Sequence, residues 1–240
     1  MSKKVINQNT NYDLELLNSI GSNFIFDEKP INRLKTNILK NQNNIKINKV
    51  DQLAELKKQI NSIEDCELKN KSKKIVFGDG NFNSAIMLIG EAPGIEEESA
   101  ELTFMGEVGN LLKKMLLAIN IKKENIYSTY AINFRPHEDR KPNANEIKRY
   151  SHFLLKHISI IDPKIIILMG STAMEALTGL NSKISKERGK WKDIIVKNTS
   201  YKTIITFNPS YLLRVPENKK YSWEDLKKIK QKIIDLHLKI

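Results

Sequence analysis

Four apolar stretches of this chain each lead directly into a polar turn. The stretches are IMLI, YSTYAI, IIILM and TIITF, and the turns that follow them are GEAPG, NFRPHEDRKP, GSTA and NPSYLLR. Segments with helical periodicity separate these stretches, which predicts strands and helices in alternation. The pattern predicts an α/β fold, a three-layer sandwich whose mostly parallel central sheet is flanked by helices. Because ligands bind beyond the carboxyl ends of parallel strands, the four turns are expected to form one site.

The chain divides into an extension and a main domain. Residues 1–50 carry two weak helical patterns and the polar stretch NQNNIKINK, which predicts an N-terminal helical extension and linker. Residues 51–240 hold the α/β pattern, and a chain of 240 residues with 40% apolar content can bury one substantial core. No apolar run is long enough to span a membrane, and the start MSKKVINQNTNYDLE has no apolar signal segment. These features predict a cytoplasmic protein without membrane contact.

The net charge of +12 suggests a polyanionic partner such as DNA. A second explanation stays open, because Lys, Asn and Ile are over-used along the whole chain, as an AT-rich coding sequence would produce. The arginines are more informative than the lysines. Four of the six fall in or beside the predicted turns, which indicates sites for planar, bidentate recognition: Arg135, Arg140, Arg188 and Arg214.

Several other classes of site have little support in the sequence. There is no G-x-G-x-x-G fingerprint and no G-K-[S/T] motif for phosphate binding. The single cysteine, Cys66, excludes an intramolecular disulfide and a multi-cysteine metal site within the chain. The acidic run from Glu96 to Glu101 fits a solvated loop better than a Mg²⁺ site, since no Asp or His accompanies it at ligand spacing. His137 and His152 are expected to have surface or partly buried structural roles.

Five segments together resemble a known family. GEAPGIEEESAELTFMGEVGNLL, RPHEDRKP with EIKRYSHFLL, ILMGSTAMEAL, RGKW and FNPSYLLR are similar, in order and over roughly residues 55–240, to the family 4 uracil-DNA glycosylases. These are bacterial and archaeal base-excision enzymes with a [4Fe-4S] cluster. The resemblance implies a monomeric hydrolase that flips a nucleotide out of DNA and breaks the N-glycosidic bond of uracil or a related deaminated base.

The resemblance also implies roles for particular residues. Glu91 matches the glutamate that stabilises the cationic sugar or positions water, and Asn208 stands where the family has a histidine that donates to the departing base. Phe104 matches the aromatic that stacks on the flipped base. The remaining implied contacts with the substrate are Gly90, Ala92, Pro93, Gly94 and Tyr130, and those with DNA are Arg135, Ser210, Leu212, Leu213 and Arg214. Leu212, Leu213 and Arg214 are the candidates for a wedge into the duplex.

The chain departs from the family at the cluster and in the base pocket. Three of the four cluster-ligand positions hold Ile63, Phe134 and Tyr150, and only Cys66 remains. One thiolate cannot hold a four-iron cluster, so we expect no cofactor and no metal. Tyr130 replaces the asparagine that reads the base, and a phenol offers one hydroxyl instead of a two-pronged amide. Two alternatives therefore stay open, a weakened or inactive DNA-binding descendant and, more remotely, a metal-dependent nuclease that uses the acidic run.

Overall fold

A computed structural model describes residues 48–239. The helices predicted within residues 1–47 lie outside the described residues, and so does most of the predicted extension and linker. Over the described range, six strands form one sheet in the order β1-β3-β2-β4-β6-β5. Their bounds are β1 Asp79–Gly80, β2 Ile86–Gly90, β3 Tyr127–Tyr130, β4 Ile165–Met169, β5 Trp191–Val196 and β6 Thr199–Thr206.

The four central strands are parallel, and an antiparallel strand lies at each edge. Strands β2 and β4 are buried along their whole length, as expected for the centre of a parallel sheet covered on both faces. Nine α-helices occupy the described part of the chain. They are α1 Lys49–Asn61, α2 Glu67–Lys71, α3 Ile95–Ala100, α4 Gly106–Leu117, α5 Ala144–Ile161, α6 Ser171–Thr178, α7 Ile184–Glu187, α8 Pro209–Arg214 and α9 Lys219–Asp235.

Alternating side chains of the buried strands pack into two separate hydrophobic cores. Met87 and Ile89 of β2 face a cluster built with α1, α5 and α6. Ile86 and Leu88 face the opposite cluster, which contains residues of α4, α8 and α9. This alternation follows from the two-residue period of a strand. The arrangement confirms the predicted three-layer α/β sandwich with a mostly parallel central sheet. Among residues 48–239, no helix has the length and apolarity needed to cross a membrane.

The prediction of a solvated loop at the acidic run is wrong. Residues 95–100 form helix α3, and the side chains of Glu97 and Glu98 are buried. The Glu98 carboxylate accepts hydrogen bonds from Ser72 Oγ at 2.5 Å and from the Lys73 amide at 2.8 Å. Burial alone would raise the pKa of Glu98, but these bonds and the charge of Arg135 outweigh it and lower the pKa. A carboxylate with such partners is stable inside the protein.

Candidate active site

The four polar turns meet in one cleft at the carboxyl edge of the parallel strands, as the sequence predicts. The cleft has a volume of about 650 Å³. This volume is large enough to admit a nucleotide, and Tyr130 is one of the residues that line the cleft. Nine of the thirteen residues to which the family resemblance gives a role line it: Glu91, Ala92, Pro93, Gly94, Phe104, Tyr130, Asn208, Ser210 and Arg214.

Glu91 and Asn208 converge beside Gly170. A Cβ placed on Gly170 would lie 3.7 Å from Asn208 Nδ2 and 3.9 Å from Glu91 Oε2. Gly170 has φ +103°, a conformation that only glycine adopts without strain. It follows β4 and begins the turn into α6, so the turn leaves open the space between the carboxylate and the amide. The GSTA turn is recognisable in the sequence, but nothing in its spacing predicts that the glycine leaves this space open.

The side chain of Asn208 has one end fixed and one end free. It caps helix α8, and its Oδ1 accepts a hydrogen bond of 3.0 Å from the Ser210 amide. Its NH₂ group makes no hydrogen bond to the residues that the structure describes. The cap therefore orients the amide so that two N–H donors are available at the cleft.

Two aromatic rings form the floor of the cleft. The rings of Phe104 and Tyr130 have centroids 5.1 Å apart and are tilted by 43°. Both side chains are almost fully buried, with exposed fractions of 2% and 4%. Gly90, the register partner of Tyr130, makes room for them, since a Cβ there would lie 2.6 Å from the Tyr130 ring and 2.9 Å from the Phe104 ring. Phe104 is therefore both a core residue and part of the cleft.

The three candidates for a wedge into DNA have different environments. Leu212 is fully buried in the core cluster that contains α4 and α9, so the prediction that it enters the duplex is wrong. The cause is the short helix α8, which turns this side chain inward. Leu213 is half-buried and Arg214 is exposed, and only these two reach the surface of the loop.

Arg135 lies outside the lining of the cleft. Its guanidinium binds Asp139 through two hydrogen bonds, of 2.6 Å and 3.1 Å, and lies 3.7 Å from the Glu98 carboxylate. Arg140 does line the cleft and forms a bidentate pair with Glu146. Lys141 lines it too, with Nζ 3.0 Å from Ser171 Oγ. The contact of Arg135 with DNA stays a prediction. Among the described residues, the cations that line the cleft are Arg140 and Lys141, together with Arg214.

The four positions that correspond to cluster ligands form a packed core. Cys66 Sγ lies 3.2 Å from the Tyr150 hydroxyl, and the ring of Phe134 packs edge-on against Tyr150 at 6.3 Å. Ile63 packs against the same hydrophobic cluster. Among residues 48–239, no group of three or more His, Cys, Asp or Glu side chains could hold a metal. The donors at this place do not fit a four-iron cluster, which requires four ligands, usually thiolates.

His137 and His152, for which the sequence predicts structural roles, do not line the cleft. The His137 side chain is exposed beside Glu138, and the His152 ring packs against Phe153. The site therefore offers a carboxylate, an amide, aromatic surface and cations, a set suited to stabilising charge around a bound nucleotide.

Comparison with known proteins agrees with this fold and cleft. The family model described as the uracil DNA glycosylase superfamily matches residues 77–229. The chain is 36% identical over 168 residues to the type-4 uracil-DNA glycosylase of Thermotoga maritima, across 69% of this chain and 86% of that protein. The corresponding protein of Sulfurisphaera tokodaii is 33% identical over 190 residues, which are 76% of this chain and 85% of that protein. The chain therefore belongs to the uracil DNA glycosylase superfamily, and the relatives that place it there are type-4 enzymes.

Proposed function

We propose that this protein is a DNA glycosylase that hydrolyses the N-glycosidic bond of uracil, or of a related deaminated base, after the nucleotide is flipped out of DNA. The observation that carries the proposal is the convergence of Glu91 and Asn208 beside Gly170, in a cleft whose floor includes Phe104. The type-4 uracil-DNA glycosylases that the chain resembles support the choice of base.

The chemistry requires two opposite charges to be stabilised. As the bond breaks, positive charge develops on the sugar and negative charge on the departing base. The Glu91 carboxylate stabilises the sugar cation and positions the attacking water. The free NH₂ of Asn208 donates a hydrogen bond to the base as it leaves. The hydrogen bond from the Ser210 amide orients the Asn208 side chain before the reaction, so this donor needs little reorganisation at the transition state.

The cleft also needs to hold the base and the DNA. Phe104 offers a stacking surface for the flipped base, and Leu213 and Arg214 take the place that the base leaves in the duplex. Ser210 and Lys141 line the cleft where a backbone phosphate would pass. The net charge of +12 favours DNA as the partner and predicts salt-sensitive binding.

We propose that catalysis and folding proceed without the iron–sulfur cluster of the family. The contacts among Cys66, Phe134 and Tyr150 support this, because apolar and aromatic side chains fill the space that the ligands would surround. The test is the iron content and visible absorbance of protein purified without oxygen. Iron below about one-tenth of an equivalent together with full excision supports the proposal, and four irons per chain would overturn it.

We further propose that residues 51–240 are the catalytic unit and that it works as a monomer in the cytoplasm, where its DNA substrate lies. A chain that begins at residue 48 should excise at the rate of the full chain. Light scattering on a sizing column should give the mass of one chain, 27.6 kDa, for the full-length protein.

The function is tested on a labelled oligonucleotide that carries a single uracil, opposite G, opposite A or unpaired, in EDTA. We expect an abasic product that alkali converts into a strand break. Glu91→Ala should abolish it, and the matched control Glu107→Ala, an exposed glutamate of α4, should not. Tight binding with no product from any substrate would instead favour a DNA-binding descendant, and a requirement for divalent ions would favour a nuclease.

A further inference from the structure

The backbone of Phe104 is held in an unfavourable conformation. Its φ is +52°, in the left-handed region that bulky side chains avoid because Cβ approaches the following carbonyl. A residue in this region keeps its conformation only when its surroundings fix it. The ring of Phe104 is part of the floor of the cleft, so whatever fixes this backbone also fixes the stacking surface.

Three consecutive amides around Phe104 each donate to a different side chain. The Thr103 amide donates to Asp79 Oδ1 at 3.2 Å, the Phe104 amide to the Tyr130 hydroxyl at 2.8 Å, and the Met105 amide to Glu97 Oε1 at 3.0 Å. The acceptors come from β1 and β3, which are distant in sequence, and from α3, which directly precedes this segment.

The carbonyl side of the same segment is held as well. Lys123 Nζ donates to the Thr103 carbonyl at 2.6 Å and approaches the Phe104 carbonyl at 3.4 Å. Gly109 leaves space for the Phe104 carbonyl, which a Cβ at that position would overlap. Every polar backbone group of Phe104 is therefore engaged by the surrounding structure.

The hydroxyl of Tyr130 takes part in holding the Phe104 backbone. It accepts a hydrogen bond of 2.8 Å from the Phe104 amide, and the charge of Glu97 acts on it. Burial raises the pKa of Tyr130 well above its ordinary value, and the Glu97 charge raises it further, so the phenol stays protonated. A buried hydroxyl that is hydrogen-bonded to the Phe104 amide is held by the backbone and is not free to read the edge of a base.

We propose that Tyr130 is a positioning residue, whose hydroxyl fixes the backbone of Phe104 so that the Phe104 ring is set for stacking on a flipped base. This inference rests on the proposed glycosylase function. It follows that Tyr130 does not select among bases by hydrogen bonding. Loss of the hydroxyl should therefore slow the excision of every substrate base by the same factor.

Hydrogen exchange tests the structural half of the inference without any need for activity. In Tyr130→Phe, the Phe104 amide should exchange about tenfold faster relative to amides of β4, the size expected for the loss of one hydrogen bond. The matched control is Tyr127→Phe, which removes another buried hydroxyl of β3, bound to His157 Nε2 at 2.8 Å. An unchanged ratio in Tyr130→Phe, or an equal change in both variants, would overturn the inference.

A double-mutant cycle tests the functional half. Single-turnover excision by Tyr130→Phe should fall several-fold in the wild-type background and by less than about twofold in Phe104→Ala, because the hydroxyl acts through the ring. Equal losses in the two backgrounds, or a changed preference between uracil and hypoxanthine in Tyr130→Phe, would overturn the positioning role. If the wild type excises nothing, the proposed function fails, and the exchange experiment alone decides the role of Tyr130.

Discussion

Gly90 and Tyr130 are register partners on parallel strands, and a Cβ on Gly90 would lie 2.6 Å from the Tyr130 ring. The absence of a side chain at position 90 is what allows an aromatic residue at position 130. The two residues, one at the end of β2 and one at the end of β3, together shape the floor of the cleft.

Gly90→Ala should therefore destabilise the protein by about 1–3 kcal/mol, the usual cost of overpacking, and should slow excision by displacing the floor. Urea unfolding measures the first effect and single-turnover kinetics the second. Gly179→Ala is a useful comparison, since a Cβ there meets nothing within 4 Å and only its positive φ is strained. A Gly90→Ala protein with wild-type stability would contradict the packing described here.

Two residues of helix α8 should separate the contribution to stability from the contribution to DNA binding. Leu212→Ala removes a fully buried side chain and should cost about 2–5 kcal/mol of stability. Arg214→Ala, at an exposed position, should leave stability unchanged, weaken DNA binding and reduce the salt dependence of log K by about one. Filter binding across a salt series measures the slope. An unaltered slope and affinity in Arg214→Ala would contradict the proposal that this arginine contacts DNA.

The buried carboxylate of Asp225 should be essential for stability. It accepts hydrogen bonds from Arg188 at 2.6 and 3.0 Å and from Thr206 at 2.9 Å, and it is completely buried. Asp225→Ala leaves the guanidinium without its partner and should cost about 3–5 kcal/mol. Glu224→Ala breaks the exposed pair with Lys227 and should change stability by less than about 1 kcal/mol. Equal effects of the two substitutions in chemical denaturation would refute the distinction.

His157 should make the protein less stable in mild acid. Complete burial lowers its pKa to about 3, from an ordinary value of 6.5. The folded state therefore favours the neutral ring. The contribution of His157 to stability is complete above pH 6.5 and is lost as the pH falls from 6.5 towards 3. The slope from this group approaches about 1.4 kcal/mol per pH unit.

Urea unfolding between pH 7.5 and 4.5 measures that slope. His157→Gln, whose side chain can still hydrogen-bond to the Tyr127 hydroxyl, should lower the slope of the unfolding free energy against pH by the amount due to one proton. His137→Gln, at an exposed site, should keep the wild-type slope. A slope in His157→Gln identical to that of the wild type would show that other groups cause the acid sensitivity.

The sequence predicts much of the fold because its signals are local. The apolar run before GEAPG has the length and composition of a buried parallel strand. The periodicity of the residues that follow predicts a helix from about Gly106 to Ile119, and the structure has α4 at Gly106–Leu117. The pattern also predicts a last helix from about Trp223 to His237. That helix begins earlier, at Lys219, because the helical turn Pro216–Asn218 leads directly into it. Such boundaries depend on details of the turn that periodicity does not contain.

The errors concern residues whose environment is set by distant segments. Glu97 and Glu98 look like a solvated run, yet Met105, Ser72 and Lys73 supply the hydrogen bonds that allow their burial. Leu212 lies in a motif that resembles a DNA wedge, but the direction of its side chain depends on how α8 packs against the core. Neither fact can be obtained from spacing along the chain.

The role of Glu91 in N-glycosidic bond cleavage is measured by single-turnover excision of uracil in EDTA. We expect the wild-type protein to release free uracil and leave an abasic site, and we expect Glu91→Gln, which keeps the shape but removes the charge, to be slower by about 10²-fold or more. A Glu91→Gln protein that matches the wild-type rate, or a wild-type protein that binds uracil-containing DNA and releases nothing, would contradict this role of Glu91.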